Sequence, residues 1–169
     1  MVKLISAYLQ FNRASTIKQA FILFKCKITI IIMSSNIKGK DKVIVITGSS
    51  WGIGKSIAYE FAKNEYCLVL NARDEEEIKR MIDDLKKEIN SNNESINDKI
   101  SYIAGDISQE QVCISLIQES VKKFGKIDVL VNNAGIGGNI KKTHEISSTD
   151  WDYVLDTNLK GAFMCTRER

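Results

Sequence analysis

The chain has 169 residues, of which 44% are hydrophobic and 27% are charged, a composition typical of one soluble globular domain. Its formal net charge of +3 arises in the first 40 residues, which hold seven basic side chains and no acidic one, and the remaining residues carry a net charge of −4. The globular part therefore has no basic surface for nucleic acid, and we expect no nucleic-acid partner. The four cysteines lack CxxC spacing, which favours buried free thiols in a reducing compartment, and we predict no metal site.

Residues 1–38 form an N-terminal segment that we expect to lie outside the fold. Its apolar stretch, 21–33, is interrupted by two lysines, and no window reaches the roughly 18 apolar residues of a membrane span. A mis-assigned start, with Met33 as the natural first residue, or a tail is favoured over a signal or a membrane tether. We therefore predict a cytoplasmic protein without a membrane partner, whose domain covers 39–169; an organellar address in residues 1–33 is the alternative.

The first predicted strand, 43–47, leads directly into a glycine-rich turn and then into a helix over about 53–65. Glycines at 48, 52 and 54 remove the Cβ atoms from the turn, so that backbone N–H groups can approach a ligand closely. The start of the helix adds free N–H groups and the positive end of its dipole. A strand, a glycine turn and a helix in this order predict a phosphate or pyrophosphate site, rather than a turn that only connects two elements.

Strands and helices alternate along the rest of the chain. We predict strands at 67–71, 100–104 and 127–131, and helices at 74–90, 108–124 and 149 to about 164, with polar loops at 91–99 and 136–148. This alternation predicts an α/β, Rossmann-like, doubly wound parallel sheet with helices on both faces, truncated after about four strands. Ligands of such a sheet bind at the carboxyl ends of the strands, where the strand order reverses.

The second and third strands end in side chains that suit a dinucleotide. About 20 residues after the glycine turn, where an NAD site usually has an acidic residue, the chain has Ala72 and then Arg73. A guanidinium suits a 2′-phosphate, which favours NADP(H) over NAD(H); the alternative is an ordinary surface arginine beside Asp74 and Glu77. After the third strand, Asp106 is placed to accept a hydrogen bond from an adenine amine, to cap the next helix, or to do both.

The fourth strand ends in two adjacent amides and two small residues, Asn132, Asn133, Ala134 and Gly135. Amides at a buried strand end need hydrogen-bond partners. The small residues that follow let a sugar or a nicotinamide ring lie close to the backbone. We therefore expect this strand end to face the other half of the same ligand.

Five motifs in order make the chain resemble the short-chain dehydrogenase/reductase family, and within it the 3-oxoacyl-(acyl-carrier-protein) reductase-like group. They cover about residues 40–166 and are Thr47-Gly48-Ser49-Ser50-Trp51-Gly52-Ile53-Gly54, Asn71-Ala72-Arg73, Gly105-Asp106-Ile107, Asn132-Asn133-Ala134-Gly135 and Asn158-Leu159-Lys160-Gly161. The resemblance implies part of an NAD(P)-binding domain from an oxidoreductase that acts on a small carbonyl or alcohol, with full-length relatives that are homo-oligomeric. Many NADP-preferring members carry Arg or Lys in place of Trp51, so the NADP(H) prediction rests on Arg73.

The resemblance also implies which residues form the site. The expected cofactor contacts are Gly48, Ser49, Ser50, Trp51, Gly52, Ile53, Gly54, Arg73, Asp106, Ile107, Asn132, Asn133, Ala134 and Gly135. Asn158 belongs to the catalytic set, where the family uses it to hold a water in the proton relay. The Ser and the Tyr-x-x-x-Lys of the family lie several dozen positions beyond Asn158, past the last residue of this chain.

One Tyr-x-x-x-Lys does occur, Tyr59 to Lys63, but it lies in the first predicted helix, and we interpret it as a chance match. His144 is in a polar loop and is interpreted as solvated. We therefore predict a carbonyl reductase, with a 3-oxoacyl thioester as the substrate that the resemblance suggests, and we expect these residues alone to be inactive. The alternative is a non-catalytic nucleotide-binding or interaction module. Without a fifth strand, we also expect strand four to expose its edge and the chain to aggregate.

Overall fold

The computed structural model describes residues 3–5, 29–32, 41–89, 94–138 and 140–168. Within them, six strands form one sheet: β1 (Lys3–Ile5), β2 (Thr29–Ile32), β3 (Val43–Ile46), β4 (Cys67–Ala72), β5 (Ile100–Ala104) and β6 (Val129–Asn132). Their order in the sheet is β1-β2-β6-β3-β4-β5, and the four strands from β3 to β6 are parallel, as predicted. Because β3 pairs with β4 on one side and with β6 on the other, the strand order reverses at β3. A crevice is expected between the carboxyl ends of β3 and β6.

Helices cover both faces of the sheet. They are α1 (Gly52–Lys63), α2 (Glu75–Ile89), α3 (Glu110–Phe124), α4 (Ser148–Leu155) and α5 (Gly161–Arg167), with a π-helical segment at Asp156–Lys160 and 3-10 turns at Glu94–Lys99 and Thr143–Glu145. Side chains alternate between the two faces of a strand. In β3, Ile44 and Ile46 join the core formed with α1 and α2, whereas Val43 and Val45 join the core formed with α3 and α5. The predicted doubly wound arrangement is therefore confirmed.

Two local predictions differ from the structure. The helix predicted from 149 to about 164 is divided by the π-helical segment, which widens one turn between α4 and α5. Asp106 does not cap α3, because the N-cap position is Gln109. Its carboxylate instead accepts a hydrogen bond from the Ser108 N–H, at 2.9 Å, within the turn that precedes the helix.

The edge of β6 is paired, and the expectation that this strand would be exposed is wrong. Strand β2 runs antiparallel to β6, with Ile30 opposite Val131, and β1 pairs in turn with β2. The physical reason is that β6 offers a row of unpaired backbone groups, and 29–32 is a β-branched run that can pair with them. Two short parts of the N-terminal segment thus join the sheet. The boundary at residue 39 and the aggregation of the chain stay predictions, and the other N-terminal residues lie outside the described residues. No helix of the described residues is long and apolar enough to cross a membrane.

Asp128 joins the starts of β3 and β6, at the end of the sheet opposite to the crevice. It is 5% exposed, and its carboxylate accepts a hydrogen bond from the Val43 N–H at 2.9 Å. Lys42 and Lys126 place their Nζ atoms 3.0 and 3.2 Å from the same carboxylate. Burial alone would raise the pKa of Asp128, but the bonds from the Val43 N–H and the two ammonium groups outweigh it and hold the pKa below its ordinary value.

Candidate functional site

A cleft of about 650 Å³ lies where the four parallel strands end. Residues that follow each of these strands line it, together with one residue of the π-helical segment. Eight of the predicted cofactor residues are among them: Gly48, Ser50, Trp51, Arg73, Asp106, Ile107, Ala134 and Gly135. The cleft also includes six residues outside the predicted set: Asn71, Ala72, Asp74, Glu77, Ile136 and Thr157. The structure thus brings together ends of strands that are up to 86 residues apart along the chain.

The glycine turn between β3 and α1 is packed so closely that two positions accept no side chain. Gly48 has a φ of 63°, and a Cβ atom there would lie 2.8 Å from the Cα atom of Ala134. A Cβ atom on Gly54 would lie 2.3 Å from the carbonyl oxygen of Gly48. Trp51 occupies the N-cap position of α1 without a side-chain cap bond, and the first turn has no acidic residue. The first N–H groups of α1 are therefore available to an anion.

Thr47 and Asn133 connect the glycine turn to the end of β6. The hydroxyl oxygen of Thr47 accepts hydrogen bonds from the backbone N–H groups of Asn133 and Ala134, both at 3.0 Å. In return, the side-chain amide of Asn133 donates to the carbonyl oxygens of Thr47 at 3.0 Å and Gly48 at 2.8 Å. Asn133 thus holds the glycine turn against the end of β6 and fixes this wall of the cleft.

Ser49 and Asn71 continue this support across the next two strands. The hydroxyl of Ser49 donates to the carbonyl oxygen of Asn71 at 3.1 Å, and the Ser49 N–H donates to the same oxygen at 2.8 Å. The side-chain amide of Asn71 donates to the carbonyl oxygens of Ile103 and Gly105, at 3.0 and 3.1 Å. The amide of Asn132 donates to the Thr166 hydroxyl of α5 at 3.3 Å, and its Oδ1 atom has no partner among the described residues, so its contact with a cofactor stays a prediction. These buried side chains fix the strand ends on which the cleft is built.

Three charged residues, Arg73, Asp74 and Glu77, line the part of the cleft beside β4. The guanidinium group of Arg73 donates to the hydroxyl of Tyr153 at 3.0 Å. Asp74 accepts a hydrogen bond from the Glu77 N–H at 2.9 Å and so caps α2. The indole N–H of Trp51 donates to the carboxylate of Glu77, also at 2.9 Å. One cation and two carboxylates therefore meet where a ribose or a phosphate could be recognised.

Asn158, in the π-helical segment, is held by the loop that follows β6. Its Oδ1 atom accepts from the Ile136 N–H at 2.7 Å, and its Nδ2 atom donates to the Ile136 carbonyl oxygen at 2.9 Å. Both polar atoms of the side chain are engaged with the backbone of one residue, which fixes the loop relative to α4 and α5. A π-helical turn is frequently found at a functional site. The role of Asn158 in holding a water stays a prediction.

Thr157, the preceding residue, is a site residue that the sequence reasoning missed. It is 5% exposed and lines the cleft, and its Oγ1 atom has no hydrogen-bond partner among the described residues. Buried hydroxyl groups are nearly always hydrogen-bonded, so this one marks a contact that a ligand or a water would complete. The available signal was the position of Thr157 directly before Asn158, on the apolar side of the predicted helix.

The remaining residues singled out in the sequence near the glycine turn lie on α1. Gly52 and Ile53 form the first turn of α1. The Tyr59 to Lys63 pair lies further along this helix and does not line the cleft, and Lys63 forms an ion pair with Glu88 at 3.0 Å. Burial and nearby carboxylates raise the pKa of Tyr59, the opposite of what a proton-transferring phenol needs. These contacts favour the interpretation of the pair as a chance match.

Comparison with known proteins gives consistent matches. A family model described as short chain dehydrogenase matches residues 42–169. The curated (2S)-[(R)-hydroxy(phenyl)methyl]succinyl-CoA dehydrogenase subunit BbsD of Thauera aromatica is 32% identical over 130 residues, which are 76% of this chain and 48% of that protein. The chain thus spans about half the length of this curated relative.

Two solved structures are similar in fold and sequence. One is a 3-ketoacyl-(acyl-carrier-protein) reductase from Brucella melitensis complexed with NADH, at 31% identity and a TM-score of 0.66, covering 79% of this chain and 49% of that one. The other is the L-sorbose reductase of Gluconobacter frateurii complexed with NADPH and L-sorbose, at 30% identity and a TM-score of 0.67, covering 76% of this chain and 46% of that one.

Proposed function

The chain belongs to the short-chain dehydrogenase family, and from this premise we propose that its cleft binds NADP(H) for the oxidation or reduction of a small alcohol or carbonyl. The observation that carries the proposal is the close contact of Gly48 with Ala134 and of Gly54 with Gly48, because it leaves a turn of bare backbone at the start of α1. Such a turn accommodates a pyrophosphate on backbone N–H groups.

The other residues of the cleft fit the rest of a dinucleotide. The unpartnered hydroxyl of Thr157 offers a polar contact between the two halves of the site. Arg73 offers a guanidinium to a 2′-phosphate, and Ala134 and Gly135 leave space beside β6 for a ring. When bound, the nicotinamide donates or accepts the hydride; the residues of this chain hold and orient it and, at Asn158, fix the loop beside it.

The two similar solved structures differ in their bound cofactor, since one holds NADH and the other holds NADPH. The preference of this chain must therefore come from its own residues beside β4. No acidic residue occupies the end of this strand, and the charge nearest to it in sequence is Arg73. A guanidinium pairs with a phosphate through two parallel hydrogen bonds, which a 2′-hydroxyl cannot offer.

For the substrate, we propose an acyl thioester with a 3-oxo or 3-hydroxy group. Two of the similar proteins are named for acyl thioester chemistry, one as a succinyl-CoA dehydrogenase subunit and one as a 3-ketoacyl-(acyl-carrier-protein) reductase. We also propose that the whole protein is homo-oligomeric. The support is an exposed apolar surface on α4 to α5, where Trp151, Leu159 and Phe163 are each more than half exposed.

A second candidate is a nucleotide-binding module without chemistry. The observation that favours it is the engagement of both polar atoms of Asn158 with Ile136, which gives this residue a structural role. This module would bind a dinucleotide and would not turn over acetoacetyl-CoA with NADPH. Turnover of that thioester by the protein would exclude it.

The cofactor preference is tested by titrating the purified protein with NADPH and with NADH in a calorimeter. We expect NADPH to bind more tightly, and Arg73→Asp to weaken NADPH at least about tenfold while changing NADH little, since an ionic contact to the phosphate is lost. Arg80→Asp is the matched control, because Arg80 is exposed on α2 and does not line the cleft. Tighter binding of NADH by the unmodified protein would refute the NADP(H) preference.

A further inference from the structure

The charges beside β4 raise a difficulty for the binding of a phosphate. Arg73 stands next to Asp74 and four residues before Glu77, just ahead of the first residue of α2, and all three line the cleft. An arginine and a carboxylate this close to each other can form an ion pair. A carboxylate paired with Arg73 would neutralise the guanidinium and repel an incoming phosphate.

The structure shows that neither carboxylate is paired with Arg73. Among the described residues, the polar partner of the guanidinium is the neutral hydroxyl of Tyr153, at 3.0 Å. The Asp74 carboxylate is engaged by the Glu77 N–H at the start of α2. The Glu77 carboxylate is engaged by the indole N–H of Trp51, which reaches across the cleft from the glycine turn.

This last contact depends on the indole N–H of Trp51. Trp51 is 69% exposed, so burial does not hold its side chain in place. Its one polar group is the indole N–H, a donor that cannot accept a bond. A phenylalanine would retain a ring at this place but would release Glu77, and a lysine or arginine would engage Glu77 through a charge.

We infer that Trp51 is a specificity-determining residue: its indole N–H holds the Glu77 carboxylate away from Arg73, and so keeps the guanidinium available to the 2′-phosphate of NADP(H). The inference rests on the proposed function, since it assumes that Arg73 binds this phosphate. Trp51 thus selects between NADP(H) and NAD(H) through Glu77, without contacting the phosphate itself.

The inference is tested with two small probes that differ only in the 2′-phosphate, adenosine 2′,5′-bisphosphate and 5′-AMP. Their dissociation constants are measured by calorimetry, and the readout is the ratio of the two. In Trp51→Phe we expect the preference for the bisphosphate to fall roughly three- to tenfold, because Glu77 becomes free to pair with Arg73. In the double variant Trp51→Phe/Glu77→Gln the preference returns to within about twofold of the unmodified protein.

Two controls complete the cycle. Glu77→Gln in the presence of Trp51 should change the preference less than about twofold, since the carboxylate is already held away. Trp151→Phe removes the other tryptophan, which is 57% exposed on α4 and does not line the cleft, and should leave the preference unchanged. Thermal unfolding of each variant verifies that the fold is retained.

The outcomes separate the inference from the proposed function. An unmodified protein that does not prefer the bisphosphate refutes the NADP(H) proposal before Trp51 is changed. If the unmodified protein does prefer it, an unchanged ratio in Trp51→Phe overturns the role of Trp51 alone. The same holds if both probes weaken equally, which would mean that the ring contacts the adenosine directly, or if Glu77→Gln fails to restore the preference.

Discussion

Replacing Thr47 by valine tests whether the glycine turn depends on one buried hydroxyl. Thr47 is 2% exposed, and its hydroxyl accepts two hydrogen bonds at 3.0 Å from the backbone N–H groups of Asn133 and Ala134. Valine has nearly the same shape but offers a methyl group in place of the oxygen. Both N–H groups then lose their acceptor at the junction between the turn and β6.

The expected cost follows from these two groups. A buried donor left without a partner costs about 1–3 kcal/mol. Since both residues are only half-buried, the lower part of the range applies, and we expect Thr47→Val to reduce the free energy of unfolding by about 2–4 kcal/mol. That is a large share of the roughly 5–15 kcal/mol that stabilises a typical domain.

Urea unfolding followed by circular dichroism measures this difference. Thr47→Ser is the matched control, because serine keeps the oxygen and loses only a methyl group, which is worth about 1 kcal/mol. Binding of NADPH should weaken in Thr47→Val and stay close to normal in Thr47→Ser. If the two variants lose the same stability, the hydrogen bonds of Thr47 do not hold the turn, and the reasoning is refuted.

Three further predictions concern other parts of the molecule. Thr157→Val should weaken NADPH binding severalfold in calorimetry without lowering the thermal midpoint, since its hydroxyl has no partner within the described fold; a lower midpoint with normal binding would contradict this. The pKa of Asp128 is lowered in the folded state, so the stabilisation by its carboxylate is complete above about pH 5 and is lost as the pH falls through that pKa. Urea unfolding between about pH 6 and 3 should therefore show a smaller fall in the free energy of unfolding for Asp128→Asn than for the unmodified protein. An equal fall in both would count against this role. Deleting residues 1–32 removes β1 and β2 and exposes the edge of β6, so light scattering should show more aggregation than for the full chain; a truncated protein that aggregates no more than the full chain would argue against the pairing.

Much of the fold could be predicted because its signals are local. Short apolar runs such as 43–46 alternate with helical patterns, and this alternation is enough to predict a parallel sheet covered on both faces. The glycine turn was also predictable, since glycines at 48 and 54 indicate a turn that has no room for side chains. Both predictions depend on chain segments of fewer than about 15 residues.

The features that could not be predicted depend on contacts between distant residues. The pairing of β2 with β6 joins segments about 100 residues apart, and nothing in 29–32 specifies its partner. The π-helical turn at 156–160 contains no glycine or proline, and it coincides with the contact between Asn158 and Ile136. The bond between Trp51 and Glu77 likewise joins two elements whose relative placement only the folded sheet determines.

The contact of Asn158 with Ile136 has an evolutionary consequence. The carboxamide of Asn158 replaces one extended residue of a neighbouring strand, because it bonds the N–H and the C=O of one residue at the same time. Aspartate would lack the donor, alanine would lack both groups, and glutamine would be longer by one carbon. Selection for the fold alone would thus retain asparagine at this position, even in a descendant that had lost its chemistry. A search for active relatives should therefore weigh this residue as part of the architecture of the domain.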